Sequence, residues 1–182
     1  MSKTKVIISA SIITGIVCSM SNLSLNNISE PKKSNHQVEQ VSLDKQIKFH
    51  RNYVMMKKTM DRLMLRLGKT RYVFSGSDTR GWDCSGLVRW TYEQFGLDIP
   101  HSADKQGHIG RRVSKPAIGD IVVFAYKGRT DFYHSAIYAG QNKVINANLM
   151  YGTTVLQTLD EYSNSQIRFI RLIDQTKKIN YF

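Results

Sequence analysis

Three features of the chain predict an α+β fold with an antiparallel sheet. Helical periodicity comes first, strand-like runs come afterwards, and a hairpin signal joins two of those runs. The chain has 182 residues and a globular apolar fraction of 41%. With an export segment removed, about 160 residues would remain, enough for one domain around one core.

Residues 1–21 read as a signal peptide. Lys3 and Lys5 supply positive charge, Val6 to Val17 form an uncharged, mostly apolar run, and small residues follow at Ser19 and Ser21. The run falls short of the roughly 18 apolar residues of a well-formed transmembrane helix. An uncleaved anchor is the alternative, and lipidation at Cys18 is a third reading. Val17 argues against lipidation, because that cleavage favours a small residue before the cysteine. Residues 22–42 are polar, rich in Asn and Ser, and carry Pro31-Lys32-Lys33, the composition of a flexible linker. The domain itself is expected over 43–182.

Within it, Tyr53, Met56, Met60, Leu63, Met64 and Leu67 recur at spacings of three and four, and Gly68 follows as a cap, so a helix is expected from about Leu43 to Leu67. Its other face carries Lys45, Lys48, Arg51, Lys57, Lys58, Arg62 and Arg66. That face reads equally as a strip for wall or membrane and as an ordinary solvated surface. A second helix is expected from Cys84 to Phe95, stopping at Gly96. Strands follow at 120–126, 134–138, 143–147 and 166–172, with a hairpin turn at Gly140-Gln141-Asn142.

The net charge of +12 favours anionic partners: cell-wall polymers, lipopolysaccharide, acidic lipid or nucleic acid. Export makes nucleic acid the poorest of these. Of two cysteines, Cys18 leaves with a cleaved signal peptide. Cys84 then stands alone, unable to staple the fold, which suggests reactivity. It opens a helix, where the dipole and unpaired N–H groups favour the thiolate. A nucleophilic Cys84 is therefore expected to react with iodoacetamide well below neutral pH.

A thiol nucleophile needs a base and an orienting group. His134, on a predicted strand, can take the thiol proton, and Asn146, on the next strand, can accept the Nδ1–H of that imidazole. A simple hairpin about Gln141-Asn142 places His134 opposite roughly Leu149, so the pairing requires a register offset or bulge. No two histidines lie at metal-ligand spacing with a carboxylate, so neither metal nor cofactor is expected. His36, His50 and His108 are taken as incidental.

From Arg71 to about Leu172 the chain resembles the NlpC/P60 family of cell-wall cysteine peptidases. The matching stretches are Tyr72-Val73-Phe74-Ser75-Gly76, Gly81-Trp82-Asp83-Cys84-Ser85-Gly86-Leu87-Val88, Phe95 to Ser102, Gln106, Gly119 to Phe124, His134 to Gly140 and Val144-Ile145-Asn146-Ala147. The order and spacing look most like small single-domain murein endopeptidases of the Gram-negative periplasm. The resemblance implies a papain-like α+β core with N-terminal helices on the sheet, Cys84 as nucleophile, His134 as base and acid, and Asn146 as third residue. It also implies peptidoglycan stem peptides as substrate, cut between γ-D-glutamate and the diamino acid. Tyr72, Asp83 and Ser85 would bind the free amine of the terminal L-alanine, with His101 a further contact. A backbone N–H at Cys84 would hold the oxyanion.

The resemblance further implies a monomer, exported to the periplasm, with secretion or anchoring as alternatives. Ser75-Gly76 stands where Gly-Gly is usual, Ile118 where proline is usual, and Ser135 where valine is common. The competing readings are a cross-bridge (D,D-type) endopeptidase or amidase on the same fold, and a catalytically silent wall-binding accessory protein.

Overall fold

The computed structural model describes residues 35–174. The expected signal peptide and Cys18 lie outside those residues. Helix α1 spans Asn35–Met64. It begins inside the segment expected as linker, which corrects that expectation over residues 35–42. Pro31 is the last proline before the helix, and no glycine interrupts residues 35–42, so nothing opposes helical backbone there. The apolar pattern fails to announce this part because it packs on nothing: Val38, Val41, Leu43 and Ile47 are all exposed. Further along, Met56, Met60 and Leu63 are buried on one face, with Tyr53 and Met64 packed beside them, as the spacing predicts. Lys45, Lys48, Arg51, Lys57, Lys58 and Arg62 are exposed and Arg66 is half-buried. No helix among the described residues is long and apolar enough to cross a membrane.

A short ribbon follows, β1 (Ser77–Asp78) paired with β2 (Gly81–Trp82). Helix α2 (Cys84–Glu93) buries Leu87, Val88 and Tyr92, then closes at Gly96, whose φ of +71 suits glycine. Helix α3 is a single turn, Ala103–Gln106. The remaining strands are β3 (Arg111–Val113), β4 (Ile121–Tyr126), β5 (His134–Gly140), β6 (Lys143–Asn148), β7 (Thr153–Thr158) and β8 (Ser165–Arg171), with a 3-10 turn at Leu159–Tyr162. They form one antiparallel sheet in the order β3-β8-β4-β5-β6-β7. The fold class is therefore the α+β expected. Strands β3 and β7 had no prediction. The first is three residues long and mostly exposed, and the second sets a lone Val155-Leu156 pair between Thr and Gln residues, neither an apolar run nor an alternation.

The sheet is buried on both faces. Ile121, Val123, Ile137 and Ile145 meet α1 and α2, while Val122, Phe124, Ala136 and Val144 form a second core capped by Leu159 and Tyr162. This explains why β4 reads as a continuous apolar run rather than an alternating one. Asp120, buried at the start of β4, is held by Arg171 of β8 through two bonds of 2.9 and 2.7 Å. Nearby, the Tyr92 hydroxyl donates to Gly119 O at 2.8 Å and ties α2 to the same corner.

Candidate active site

Asp83 fixes the entry to α2. Its backbone is extended, and its Oδ1 accepts the Gly86 N–H at 2.7 Å and the Ser85 hydroxyl at 3.0 Å. This is the N-cap a helix start needs. His101 Nε2 lies 2.9 Å from the same oxygen, and the Ser75 N–H donates to Oδ2 at 3.0 Å. A carboxylate only accepts, so His101 carries its proton on Nε2 in this contact. Trp82, fully buried, anchors the preceding residue by donating its indole N–H to Thr154 Oγ1 at 2.8 Å.

Close backbone packing sets the loop against the helix. A Cβ on Gly86 would overlap the carbonyl oxygen of Gly76, and one on Gly76 would overlap that of Gly81. Ser75 adopts φ +57, a left-handed conformation, which gives a physical reason for the glycine usual at that position. Tyr72, half-buried, joins this cluster: burial, and after it the charges of Cys84 and Asp83, raise its phenol above the ordinary value. Tyr72, Asp83, Cys84, Ser85 and His101 thus meet at one end of α2.

The Cys84 sulfur lies against the start of β5. The backbone N–H and hydroxyl of Ser135 both favour its thiolate, and so does the N–H of Ser85. Burial outweighs them and pushes the thiol above its ordinary value, with the Asp83 charge adding to the rise. The expectation of a ready thiolate well below neutral pH is corrected accordingly: the helix start is present, but the sulfur is too desolvated for it to dominate.

His134 is the first residue of β5, next in sequence to the Ser135 that touches the sulfur. Its Nε2 lies 3.1 Å from Asn146 Oδ1. The expected partnership is present, but through Nε2 rather than Nδ1. The ring nitrogen farther from the backbone reaches across to β6. Burial lowers the imidazole to about 4, with the Asn146 bond opposing the shift. The ring is thus neutral at pH 7.

The expected register offset is found. Gly140 pairs with Lys143, but Tyr138 pairs with Val144, so a bulge intervenes. Gly140, Gln141 and Asn142 all have positive φ in this hairpin. Extending the shifted register places Asn146 opposite Ala136, on the same face of the sheet as His134. Without the bulge Asn146 would pair with Ile137, on the other face.

Several residues of this site escaped the sequence reading. Ser135 appeared there only as an unusual neighbour of His134. Tyr162 stacks on His134 with centroids 5.9 Å apart and planes 14° apart, and its phenol is pushed up to about 12, mainly by burial. Gln157 Oε1 accepts from Asn146 Nδ2 at 3.0 Å. Gln106, which the resemblance matches without giving it a role, is fully buried and donates to Ser85 O at 2.9 Å and Pro100 O at 2.8 Å, clasping the His101 loop to α2. The position of a lone Tyr or Gln in sequence gives no signal for such contacts.

Fold and site together define a class: an α+β domain with a cysteine at a helix start, lying against a strand that opens on a histidine bonded to an asparagine. The NlpC/P60 family pattern matches residues 68–171, and the chain belongs to that family. It is 36% identical over 107 residues to the Gamma-DL-glutamyl hydrolase of Bacillus subtilis, a match covering 57% of this chain and 26% of that protein. It is 31% identical over 150 residues to the Murein DD-endopeptidase MepS/Murein LD-carboxypeptidase of Escherichia coli K12, covering 80% of this chain and 78% of that one. Among solved structures, the NlpC/p60 domain of the peptidoglycan hydrolase SagA superposes with a TM-score of 0.55 at 26% identity, over 64% of this chain and 98% of that one. The chain thus spans about a quarter of the first relative and over three quarters of the second.

Proposed function

We propose that this protein is an exported peptidoglycan hydrolase, a cysteine endopeptidase acting on stem peptides. The observation that carries the reading is the meeting of Cys84, at the capped start of α2, with the β5 end bearing His134 and its buried partner Asn146. Neutral His134 takes the thiol proton at Nδ1 as the sulfur attacks the peptide carbonyl carbon. The developing oxyanion sits at the Cys84 backbone N–H. The tetrahedral adduct collapses, the C–N bond breaks, and the leaving amine takes the proton from the imidazolium. Water then attacks the thioester, again through His134, releasing the carboxylate and the thiol.

The polar groups beside the thiol suit a substrate with a free amine. Asp83 offers a carboxylate, with the Ser85 hydroxyl and His101 bonded to it and the Tyr72 phenol within reach of its charge. On this reading the bond cut is that between γ-D-glutamate and the diamino acid. The similarity to the E. coli D,D-endopeptidase over 80% of the chain favours a second reading, in which the cross-bridge is cut. Incubation with free stem peptides and with cross-linked muropeptides, each followed by mass spectrometry, separates them. A γ-glutamyl cut releases L-alanyl-D-glutamate from a free stem peptide, whereas a cross-bridge cut converts dimers to monomers. The exposed basic residues of α1 would hold the enzyme near anionic envelope polymers.

A further inference from the structure

We propose that Gln157 and Glu161 are positioning residues that place the imidazole proton of His134 on Nε2 and leave Nδ1 free to receive the thiol proton. The inference rests on the reading of His134 as the base, and it follows from a chain of hydrogen bonds with only one consistent polarity.

The chain starts at Glu161. Its Oε1 accepts the Thr158 N–H at 2.9 Å, and its Oε2 lies 2.7 Å from Gln157 Nε2. An ionised carboxylate has no proton to give. Gln157 must therefore turn its NH2 toward Glu161, since the opposite orientation would set two acceptor oxygens 2.7 Å apart. Gln157 Oε1 then faces inward and meets three donors: Asn146 Nδ2 at 3.0 Å, Asn148 Nδ2 at 3.0 Å and the Tyr162 hydroxyl at 2.9 Å.

Because that oxygen only accepts, Asn146 must present its NH2 to it. Asn146 Oδ1 is thereby turned to His134 Nε2 at 3.1 Å, and a carbonyl oxygen requires a hydrogen there. In a neutral imidazole the other nitrogen, Nδ1, is then the acceptor. Gln157 Oε1 also holds the hydroxyl of Tyr162, whose ring lies on the face of His134. One atom thus governs the tautomer of the imidazole and the group stacked on it. Asn146 and Gln157 are buried, so water offers little alternative partnership.

The test uses the full chain with 15N-labelled histidine. The His134 tautomer is read by NMR at pH 7, alongside kcat and KM on muropeptides. The wild type is expected to show the Nε2–H form. In Glu161→Gln, the new amide can keep the Thr158 bond through its oxygen and present NH2 to Gln157, which then turns over. A substantial Nδ1–H population and a fall in kcat of about tenfold with little change in KM are expected.

The double variant Gln157→Glu/Glu161→Gln exchanges the two groups. Its carboxylate faces the three inward donors, so Nε2–H and most of kcat are expected to return, a rescue that a merely structural role does not provide. An Nδ1–H wild type, a tautomer indifferent to Glu161→Gln, or a double variant no better than the single one overturns the proposal. The tautomer is read without turnover. The expected NMR pattern with no muropeptide cleavage would therefore sink the hydrolase reading and leave the polarity chain standing.

Discussion

Replacing Asn146 by alanine removes the oxygen 3.1 Å from His134 Nε2 at a position without solvent access. An unpaired buried donor costs about 1–3 kcal/mol. At about 1.4 kcal/mol per decade, that is a loss of roughly 5- to 150-fold in rate if the reaction bears it. The imidazole gains charge only while it holds the thiol proton, so the partner matters more in the transition state than in the bound substrate. The loss is therefore expected in kcat, with KM little changed. Initial rates of stem-peptide cleavage over a range of substrate concentrations at pH 7 measure it, with thermal unfolding to show that the variant is folded. Asn146→His, which restores a ring-nitrogen acceptor, is expected to retain more activity than the alanine variant. A folded Asn146→Ala with kcat within twofold of wild type would refute the orienting role.

Other expectations follow from the same geometry. Since burial holds His134 at about 4, below the 6.5 of a free imidazole, the unfolded chain binds more protons between those values. The stability associated with the neutral ring is therefore present above pH 6.5 and lost as pH falls toward 4, by up to about 3 kcal/mol. Denaturant midpoints should fall over that window in the wild type and less in His134→Gln; equal slopes would contradict it. Alkylation of Cys84 by iodoacetamide should accelerate through and beyond neutral pH, because burial raises the thiol. A rate already at its plateau at pH 6 would contradict that. Gly86→Ala drives a methyl into the Gly76 carbonyl and should cost about 1–3 kcal/mol or more, whereas Gly96→Ala meets open space and pays only for its positive φ, about 1 kcal/mol. Reversal of that order in thermal unfolding would refute the close approach of loop and helix.

The α+β class and the elements carrying Cys84, His134 and Asn146 were legible because each leaves a local pattern. Apolar spacing, a stop at Gly96 and β-branched runs depend on a few adjacent residues. The bulge was inferable as a requirement, since His134 and Asn146 cannot share a face without it. What could not be read was whatever depends on tertiary contact. Tyr162 reaches His134 only because the 3-10 turn after β7 folds across the second core. Strand β7 itself went unseen because Thr153, Thr154 and Gln157 interrupt its apolar character. Gln157 spends its polarity on the asparagines beside it rather than on solvent. The early start of α1 escaped for the opposite reason: residues 37–47 are exposed, so no buried face was needed to make them helical.

The central claim is that Cys84 is the nucleophile of a stem-peptide hydrolase. The most direct measurement is the mass spectrum of fragments formed from free stem peptides and cross-linked muropeptides by the wild type and by Cys84→Ala, both shown to be folded. The account predicts new stem-peptide fragments with the wild type and none with Cys84→Ala. The same fragments released by both proteins, or by neither, would contradict it.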